Sequence, residues 1–551
     1  MTRSEPAAPA PASSPTEPSS GNDNSGLTGS ATVVGAATMT SRALGLVRDQ
    51  ALAFYFGAGD AMDAFYVAFR VPNLMRDLFA EGAMSAAFVP TFTRRLTHDG
   101  REAAWRLGTQ LINALVVVTG VLVAAGILFA EPITRTIAGD FAAVPGKLEL
   151  TTQMTRLMLP FLTLVAIAAA CMGMLNSLRR FFAPALSPAM FNVSLIVCTV
   201  AFVPLMPSIG LDPIMAIALG VVVGGLGQIG AQYWVLRREG FRYRLLLDPR
   251  DQGLREVLSL MGPGTIAGAA LQVNLLVTTI LATSQGTSAV SWLSYSFRLM
   301  YLPIGIFGVS IATAALPVLS RHAALDELAG VRSTVSEGLR LMLRLMIPAP
   351  VVLMRLAEPI VRLIFERGLF TATDTRGTAL ALACYAPGII GYSAVRLAVP
   401  SFYALGTSFT PALVSIGTIV LNIALNLVLV DAIGYQGLAM GNAIAALSNA
   451  GILLFLLRIR LGGLEDRLVL DSLARIAIAT GIMGAAVWAT ARRFETLWPE
   501  PGLMEQLVAV SSEIGIGLAT LALAARLLRL REFEQAMAQL GRRFRRRPLR
   551  A

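Results

Sequence analysis

Apolar runs of about 20 residues recur along the whole chain, and they restrict its fold more than any other feature. An α-helix of that length crosses the hydrocarbon core of a bilayer, which is about 30 Å thick. Backbone groups in lipid must pair with one another, so only helices or closed barrels span it. Because the runs are continuous and not alternating, they predict an all-α integral membrane protein with fourteen transmembrane helices. The predicted spans are residues 32–56, 62–93, 108–133, 152–178, 185–206, 212–236, 256–283, 287–319, 338–364, 378–404, 408–431, 435–458, 472–492 and 505–530.

The charged residues are few, and almost all of the basic ones are arginine. Charged side chains make up 14% and apolar side chains 55% of the chain, whereas a soluble domain averages about 25% charged residues. The net charge of +11 would suggest nucleic-acid binding in a soluble protein. Here the arginines concentrate in alternate loops, and the positive-inside bias accounts for the excess. We therefore expect no nucleic-acid partner.

The loops that follow even-numbered spans are the arginine-rich ones. They carry Arg94, Arg95, Arg101, Arg106, Arg179, Arg180, Arg237, Arg238, Arg242, Arg244, Arg250, Arg255, Arg321, Arg332, Arg458, Arg460 and Arg467, and the C-terminal tail adds Arg542, Arg543, Arg545, Arg546 and Arg547. The loops that follow odd-numbered spans carry few basic residues. The exceptions are Arg135 with Lys147, Arg367 with Arg376, and Arg492 with Arg493. This bias places both termini in the cytoplasm.

A repeat with a constant offset of 227 residues relates the two halves of the chain. The matching segments are 130–137 (AEPITRTI) with 357–364 (AEPIVRLI), 182–186 with 409–413, and Pro90 and Arg94 with Pro317 and Arg321. Each copy holds six spans, an even number, so the copies run in the same direction. They predict two parallel six-helix lobes around a central cavity, which is a common plan of transporters.

The predicted organisation has five parts. A Pro-, Ala- and Ser-rich tail without an apolar run is expected to be disordered in the cytoplasm. The parts are this tail at 1–30, an N-lobe at 31–240, a C-lobe at 241–463, two added spans at 464–530 and a basic cytoplasmic tail at 531–551.

Ionisable side chains inside the predicted spans are costly in lipid and usually face a cavity. They are Arg42, Arg48, Asp49, Asp63, Arg70, Arg76, Asp77, Glu81, Arg298 and Arg396. On a regular helix, four of them lie along one face, namely Asp63, Arg70, Asp77 and Glu81. The arginines outnumber the acids, and a guanidinium group matches phosphate oxygens in bidentate fashion. The sequence therefore predicts a ligand with a phosphate or diphosphate group.

Plainer explanations stay open for several of these residues. The neighbours Arg48 and Asp49 could pair near a helix end, as could Arg76 and Asp77, and a long arginine side chain could extend to the membrane surface. Prolines and glycines in the spans fit either kinks and close packing or the hinges of a moving transporter. Cys171, Cys198 and Cys384 share no close spacing, and with only His98 and His322 no metal site or cofactor is expected.

Four segments carry a likeness to a known family. They are 41–49 (SRALGLVRD), 63–74 (DAFYVAFRVPNL), 79–90 (FAEGAMSAAFVP) and, in the eighth span, Ser291–Trp292 with Arg298–Leu299 and Leu302–Pro303. These segments resemble the signature of the MurJ/MviN family, the lipid II flippases, and the likeness extends over nearly the whole chain. Phe297 departs from the pattern, since some members have Asp there, and Arg70 and Asp77 stand where some relatives have Lys and a second basic residue.

The resemblance implies a multidrug/oligosaccharidyl-lipid/polysaccharide exporter fold in the bacterial cytoplasmic membrane. It implies a cationic cavity that binds the lipid II diphosphate and the sugar–peptide headgroup, and a groove formed by the last two spans for the polyprenyl tail. It assigns functional charges to Arg42, Arg48, Asp49, Asp63, Arg70, Arg76, Glu81 and Arg298, with Arg396 at a position that is basic in some members. By the same likeness, Arg48, Arg76 and Arg298 would grip the diphosphate.

The expected mechanism is alternating access by a monomer that moves lipid II to the outer leaflet for cell-wall synthesis. The chain has no Walker A motif. A membrane potential supplies about 2.3 kcal/mol per charge per 100 mV, and ion coupling stays open. One alternative is an exporter of a drug or of another polyprenyl-diphosphate-linked glycan. A second is a membrane glycosyltransferase, disfavoured because Asp140, Glu149, Asp374 and Glu500 are scattered, and a third is a scaffold, disfavoured by the deep arginines.

Overall fold

Helices are the regular elements of this chain. The computed structural model describes residues 23–76, 83–246, 248–499 and 502–528, and no strand lies in these ranges. The first half holds α1 Asp23–Phe56, α2 Asp60–Arg76, α3 Ala83–His98, α4 Gly100–Leu128, α5 Ala130–Ala138, α6 Lys147–Met158, α7 Phe161–Ser177, α8 Phe182–Phe202 and α9 Met215–Arg238. The second half holds α10 Gln252–Thr283, α11 Ala289–Pro303, α12 Val309–Ala324, α13 Leu328–Met346, α14 Pro348–Arg355, α15 Ala357–Phe365, α16 Ala372–Tyr385, α17 Gly388–Ala404, α18 Phe409–Ile433, α19 Tyr435–Arg460, α20 Asp466–Leu497 and α21 Leu503–Leu527. The prediction of an all-α membrane protein is confirmed.

Each predicted span contains one or more helices within the described ranges, although span 62–93 also includes residues 77–82, which lie outside them. Not all of these helices are long and apolar. Within the described ranges, nine helical stretches are long and apolar enough to cross a membrane, and the bent pair α16–α17 brings the number to ten. The count of fourteen stays a prediction. Residues 23–30, predicted as part of the tail, lie in α1, while residues 1–22 and the basic tail at 531–551 lie outside the described residues.

Several of the spans are interrupted where a proline removes a backbone donor. Pro160 separates α6 from α7, and Pro387 lies at the 45° bend between α16 and α17. Pro303 ends α11, and one turn of π-helix, Ile304–Gly308, joins it to α12. The break after Pro303 lies beside two of the predicted site arginines. Arg42 packs against Gly305 of the π-helical turn, and Arg396 lies over the ring of Tyr301, just before Pro303.

The repeat found in the sequence is also present in the helix boundaries. The helices α5 and α15 begin at Ala130 and Ala357, α7 and α17 at Phe161 and Gly388, and α8 and α18 at Phe182 and Phe409. Each of these pairs keeps the 227-residue offset, so the two copies place equivalent residues at equivalent helix starts.

Helix packing groups most of the helices into two bundles. In the N-terminal bundle, α1–α9, the helix α8 packs on α1 and α9. In the C-terminal bundle, α10–α19, the helix α19 packs on α16, α17 and α18. The helix α10 also contacts α3 and so joins the two bundles, whereas α20 and α21 pack on each other and against α13, α14 and α15.

Asp251 begins α10 and connects it to α3, and we expect its loss to destabilise this junction. Its carboxylate accepts hydrogen bonds from Leu254 N (3.0 Å) and from both terminal nitrogens of Arg95 (3.0 and 3.1 Å). Partial burial raises the pKa of Asp251, but the hydrogen bonds from Leu254 and Arg95 outweigh it and hold the pKa below its usual value. Asp251→Ala should lower the free energy of unfolding by about 1 kcal/mol at neutral pH, as for the loss of a helix N-cap.

The stabilising form of Asp251 is the carboxylate, so its contribution is present at neutral pH and is lost as the pH falls through the lowered pKa. Thermal unfolding in detergent at neutral pH and near pH 3 measures this. Asp251→Asn, which keeps the cap without the charge, is the control. Equal unfolding temperatures for Asp251→Ala and the parent at neutral pH would contradict the assignment.

Candidate functional site

A cavity of about 490 Å³ lies between the two bundles. Its wall combines aromatic rings, amides and hydroxyls with two guanidinium groups, those of Arg70 and Arg298. The lining residues are Tyr66, Phe69, Arg70, Asn73, Gln272, Asn274, Leu275, Thr278, Thr279, Ala282, Val290, Leu293, Ser294, Phe297, Arg298, Tyr385, Tyr392 and Asn442. No carboxylate is among these lining residues, so the charged groups that the described part of the chain brings to the wall are both positive.

Beside this cavity, two arginines share one carboxylate. Asp49 on α1 is 5% exposed. Its Oδ1 atom accepts hydrogen bonds from Arg48 Nε (3.0 Å) and Nη2 (2.8 Å), and from Arg298 Nη1 on α11. Two guanidinium groups with one carboxylate leave one net positive charge. The Arg298 side chain is 32% exposed, which opens it to the cavity, and its guanidinium carbon lies 5.6 Å from the centre of the Tyr66 ring.

Arg48 is fixed by a third helix. Its Nη1 atom donates to Asn192 Oδ1 on α8 at 2.9 Å, and Asn192 Nδ2 donates in turn to the Ser41 carbonyl at 3.0 Å. Arg48 therefore has partners within the N-terminal bundle, whereas Arg298 reaches across from the C-terminal bundle. The contact between Asp49 and Arg298 is thus a charged link between the bundles at the edge of the cavity.

The remaining predicted basic residues occupy three further places. Arg70 Nε donates to Thr279 Oγ1 on α10 at 3.1 Å, at the cavity wall. Arg76 is half-buried in the last turn of α2 and is not a residue of that wall. Arg396 on α17 donates to Tyr301 Oη and lies over the Tyr301 ring, with 5.5 Å from its guanidinium carbon to the ring centre.

Arg42 packs against the π-helical turn. A Cβ atom added to Gly305 would fall on the Arg42 guanidinium, with 3.0 Å to its Nη2 atom. The absence of a side chain at Gly305 therefore leaves the space that Arg42 fills. The predicted site residue Glu81, like Asp77, lies outside the described residues.

Asp63 departs from the expectation that it faces the cavity with Arg70. Its side chain is 0% exposed and is held by Lys147 of α6 and by the first turn of α11. Of the four residues predicted to lie along one face, only Asp63 and Arg70 lie within the described residues. However, α6 and α11 converge on the first turn of α2 and exclude Asp63 from the cavity that the second turn lines.

We expect Gly305→Ala to leave the protein folded and to lower its activity in cells several-fold. The added methyl group would displace the Arg42 guanidinium, which can move because it is the far end of a flexible side chain. Complementation of cells that lack the native protein, with thermal unfolding of the purified variant, measures both effects. Gly417→Ala on α18 is the matched control, since a Cβ there meets nothing within 4 Å. Full complementation by Gly305→Ala would show that the position of Arg42 is unimportant.

Neutral residues that hold the charged ones could not be identified from the sequence. Asn192 orients Arg48, Thr279 binds Arg70, and Tyr66 lies beside Arg298. Tyr66 belongs to the conspicuous 63–74 segment, so a signal for it existed, and Asn192 is a polar residue in an apolar span. Lys147 was treated as an exception in the charge pattern, although it is the only lysine of the chain.

Solved structures of exporters share this architecture. A structure titled as the lipid II flippase MurJ in an inward closed conformation aligns with 90% of this chain and 99% of its own length, with a TM-score of 0.73 and 24% identity. An inward-facing multidrug transporter of the MATE family, of the MOP superfamily, aligns with 79% of this chain and 99% of its own length, with a TM-score of 0.64 and 15% identity. At these identities the likeness establishes the fold, which is that of a helical, multi-span membrane protein.

Sequence comparisons narrow the class to one family. The family model described as lipid II flippase MurJ matches residues 52–508. The probable lipid II flippase MurJ of Vibrio cholerae is 32% identical over 498 residues, which cover 89% of this chain and 93% of that protein. That of Bdellovibrio bacteriovorus is 34% identical over 483 residues, covering 87% and 91%. The chain belongs to the MurJ family, a family of transporters and not of enzymes.

Proposed function

We propose that this protein moves lipid II from the inner to the outer leaflet of the bacterial cytoplasmic membrane by alternating access. The names of its relatives support the substrate, since those proteins are described as lipid II flippases. The observation that carries the proposal is the pair of guanidinium groups that share Asp49 beside a cavity wall whose described residues include no carboxylate. A buried surplus of positive charge favours an anionic ligand, and the diphosphate of lipid II is such a group.

Arg298 is the first contact of the diphosphate in this proposal. Its guanidinium is the more exposed of the two that touch Asp49, with 32% of the side chain exposed against 16% for Arg48. An incoming diphosphate oxygen competes with Asp49 for Arg298 and then recruits Arg48 and Arg70. Arg42, Arg76 and Arg396 line the route of the headgroup. Asp49 pairs with Arg48 and Arg298 when no ligand is bound, and it pairs with them again when the ligand is released.

Contacts between the bundles support loading from the cytoplasmic side. Leu369 N donates to the Phe54 carbonyl at 2.9 Å, Tyr295 Oη to the Gly57 carbonyl at 3.2 Å and Gln50 Nε2 to the Ile364 carbonyl at 3.2 Å. These contacts join the end of α1 to α11, to α15 and to the loop after α15, on the side that the arginine bias assigns to the outside. In this state the outer face is closed, and a headgroup enters the cavity from the inner face.

The polyprenyl tail stays in lipid during the exchange. The helices α20 and α21 lie against α13 and α14, outside the two bundles, and they form a groove for this tail. The protein acts as a monomer with both termini in the cytoplasm. The potential, negative inside, drives the anionic headgroup outward with about 2.3 kcal/mol per charge per 100 mV.

Reconstituted vesicles test the function directly. The purified protein is placed in vesicles with fluorescent lipid II in the inner leaflet, and a membrane-impermeant reagent reports arrival outside. We expect transport that rises with an inside-negative potential. A parallel sample contains a different polyprenyl-diphosphate-linked glycan, which tests the alternative cargo. Transport of that glycan with no transport of lipid II would replace the proposed cargo, and transport of neither would refute the flippase proposal.

A further inference from the structure

A second charged cluster lies at the outer end of the interface between the bundles, and the cavity does not include it. It consists of Asp60 and Asp63 on α2, Lys147 at the start of α6, and Thr287, Ser288 and Ser291 at the start of α11; we call it the outer latch. Lys147 is 4% exposed, and its Nζ atom lies 2.7 Å from Asp60 Oδ1 and 2.9 Å from Asp63 Oδ2. The ammonium group also lies 4.0 Å from the centre of the Phe141 ring.

Asp63 connects the two bundles with both of its oxygens. Its Oδ2 atom accepts from Ser288 N at 2.7 Å, and its Oδ1 atom accepts from Ser291 N at 2.9 Å and from Ser291 Oγ at 2.7 Å. The carboxylate thus occupies the N-terminus of α11, where helical N–H groups lack partners within the helix. Thr287 Oγ1 adds a hydrogen bond to Asp60 Oδ1 at 3.0 Å.

The backbone of Ser288 is strained in a way that the latch explains. Its φ angle is 76°, in the left-handed region. This conformation is unfavourable in free energy for any residue that has a side chain. Such a conformation persists only where the surroundings determine it, and such strain clusters at switches. Here it directs the Ser288 N–H at Asp63. When the bundles part, α11 loses this acceptor and Ser288 is free to relax.

Lys147 makes this arrangement possible. A fully buried carboxylate without a cation is strongly destabilising, and Ser288 and Ser291 supply only hydrogen bonds. Asp60 and Asp63 are one turn apart on α2, so a compact ammonium group can contact both. All three charged groups belong to the N-terminal bundle. They can therefore stay together when α11 moves away.

We propose that Lys147 is a positioning residue of the outer latch, which acts through Asp63 to hold α11 against α2 and so keeps the outer side closed. This role of Lys147 rests on the proposed alternating access, and it identifies a contact that sets the equilibrium between the inward-open and outward-open states. Removing Lys147 while keeping Asp63 leaves an unpaired buried acid. Opening the outer face would expose that acid to water. Lys147→Met should therefore shift the protein towards the outward-open state, not simply weaken it.

The test measures the distance across the outer face in the purified full-length protein, without substrate. Spin labels are attached to cysteines at Ser208 and Thr373, both exposed and on different bundles, after replacement of the three native cysteines. We expect a single short distance in the parent and a second, longer population in Lys147→Met. Lys147→Arg should give an intermediate population, because the fork of Arg fits two adjacent carboxylates less closely.

The double variant Lys147→Met with Asp63→Asn separates positioning from general destabilisation. It removes both charges, and the amide oxygen of the introduced asparagine still accepts from the N–H groups of α11, so the short distance should return. If Lys147→Met fails to fold, recovery of a folded, closed protein in the double variant still supports the proposal. Distances in Lys147→Met equal to those of the parent, or a double variant as open as the single one, would overturn it. Because no lipid II is present, failure here is distinguishable from failure of the transport proposal.

Discussion

Replacing Arg298 by glutamine should reduce lipid II transport about a hundredfold and leave the protein folded. The substitution removes one of the two guanidinium groups of the cavity wall and leaves Arg48 and Asp49 as a neutral pair at 2.8 Å. A hydrogen bond to a charged group contributes about 1.5–3 kcal/mol, so losing the two bonds of a guanidinium fork costs at least about 3 kcal/mol, or roughly a hundredfold in binding. Initial transport rates in vesicles, with thermal unfolding of the same preparation, measure the effect.

Two controls accompany the Arg298 variant. Arg376→Gln removes one arginine from an exposed position outside the cavity, and it should transport normally. Arg298→Lys keeps the charge but not the planar fork, so it should retain part of the activity. Normal transport by Arg298→Gln would show that the diphosphate does not bind where the cavity wall is cationic.

Gly391→Ala should clearly lower the stability of the C-terminal bundle. The helices α17 and α19 approach closely here. A Cβ atom at Gly391 would fall on the Ala446 carbonyl group and lie 2.6 Å from Leu447 N. Backbone atoms cannot give way as a side-chain end does, so the helices must separate. Overpacking of this kind costs about 1–3 kcal/mol, and we expect a clear fall in the thermal unfolding temperature.

The matched control for Gly391 lies on α19 itself. A Cβ at Gly451 meets nothing within 4 Å, and alanine is the better helix former by about 1 kcal/mol. Gly451→Ala should therefore unfold at the same temperature as the parent or slightly higher. A Gly391→Ala variant as stable as Gly451→Ala would mean that α17 and α19 do not pack as described.

The sequence was sufficient for the fold class because span length and backbone pairing in lipid leave few alternatives. The 227-residue offset likewise survives in the helix starts, from Ala130 and Ala357 onward. The number of spans was harder to establish. Charges on α1 and α2 lower their hydropathy, and prolines such as Pro387 divide other spans into bent pairs.

The candidate site was only partly visible in the sequence. Surplus arginine in the predicted spans indicated this region, and the structure brings Arg48 and Arg298 together on Asp49, 249 residues from Arg298. Which arginine shares a carboxylate depends on how α1 meets α11, and helical periodicity holds no information about that. The same limit explains Asp63, which periodicity aligned with Arg70 although α6 and α11 bury it. Lys147 looked like an irregularity in the loop charges because its two acidic partners lie 84 and 87 residues away.

Equilibrium binding of lipid II to the purified protein tests the central claim most directly. The claim is that guanidinium groups at the cavity bind the diphosphate. We predict binding that weakens with added salt and is lost in the double variant Arg48→Gln with Arg298→Gln, while a polyprenyl lipid with a neutral headgroup binds weakly to both proteins. Equal affinity of the parent and the double variant for lipid II would contradict the account.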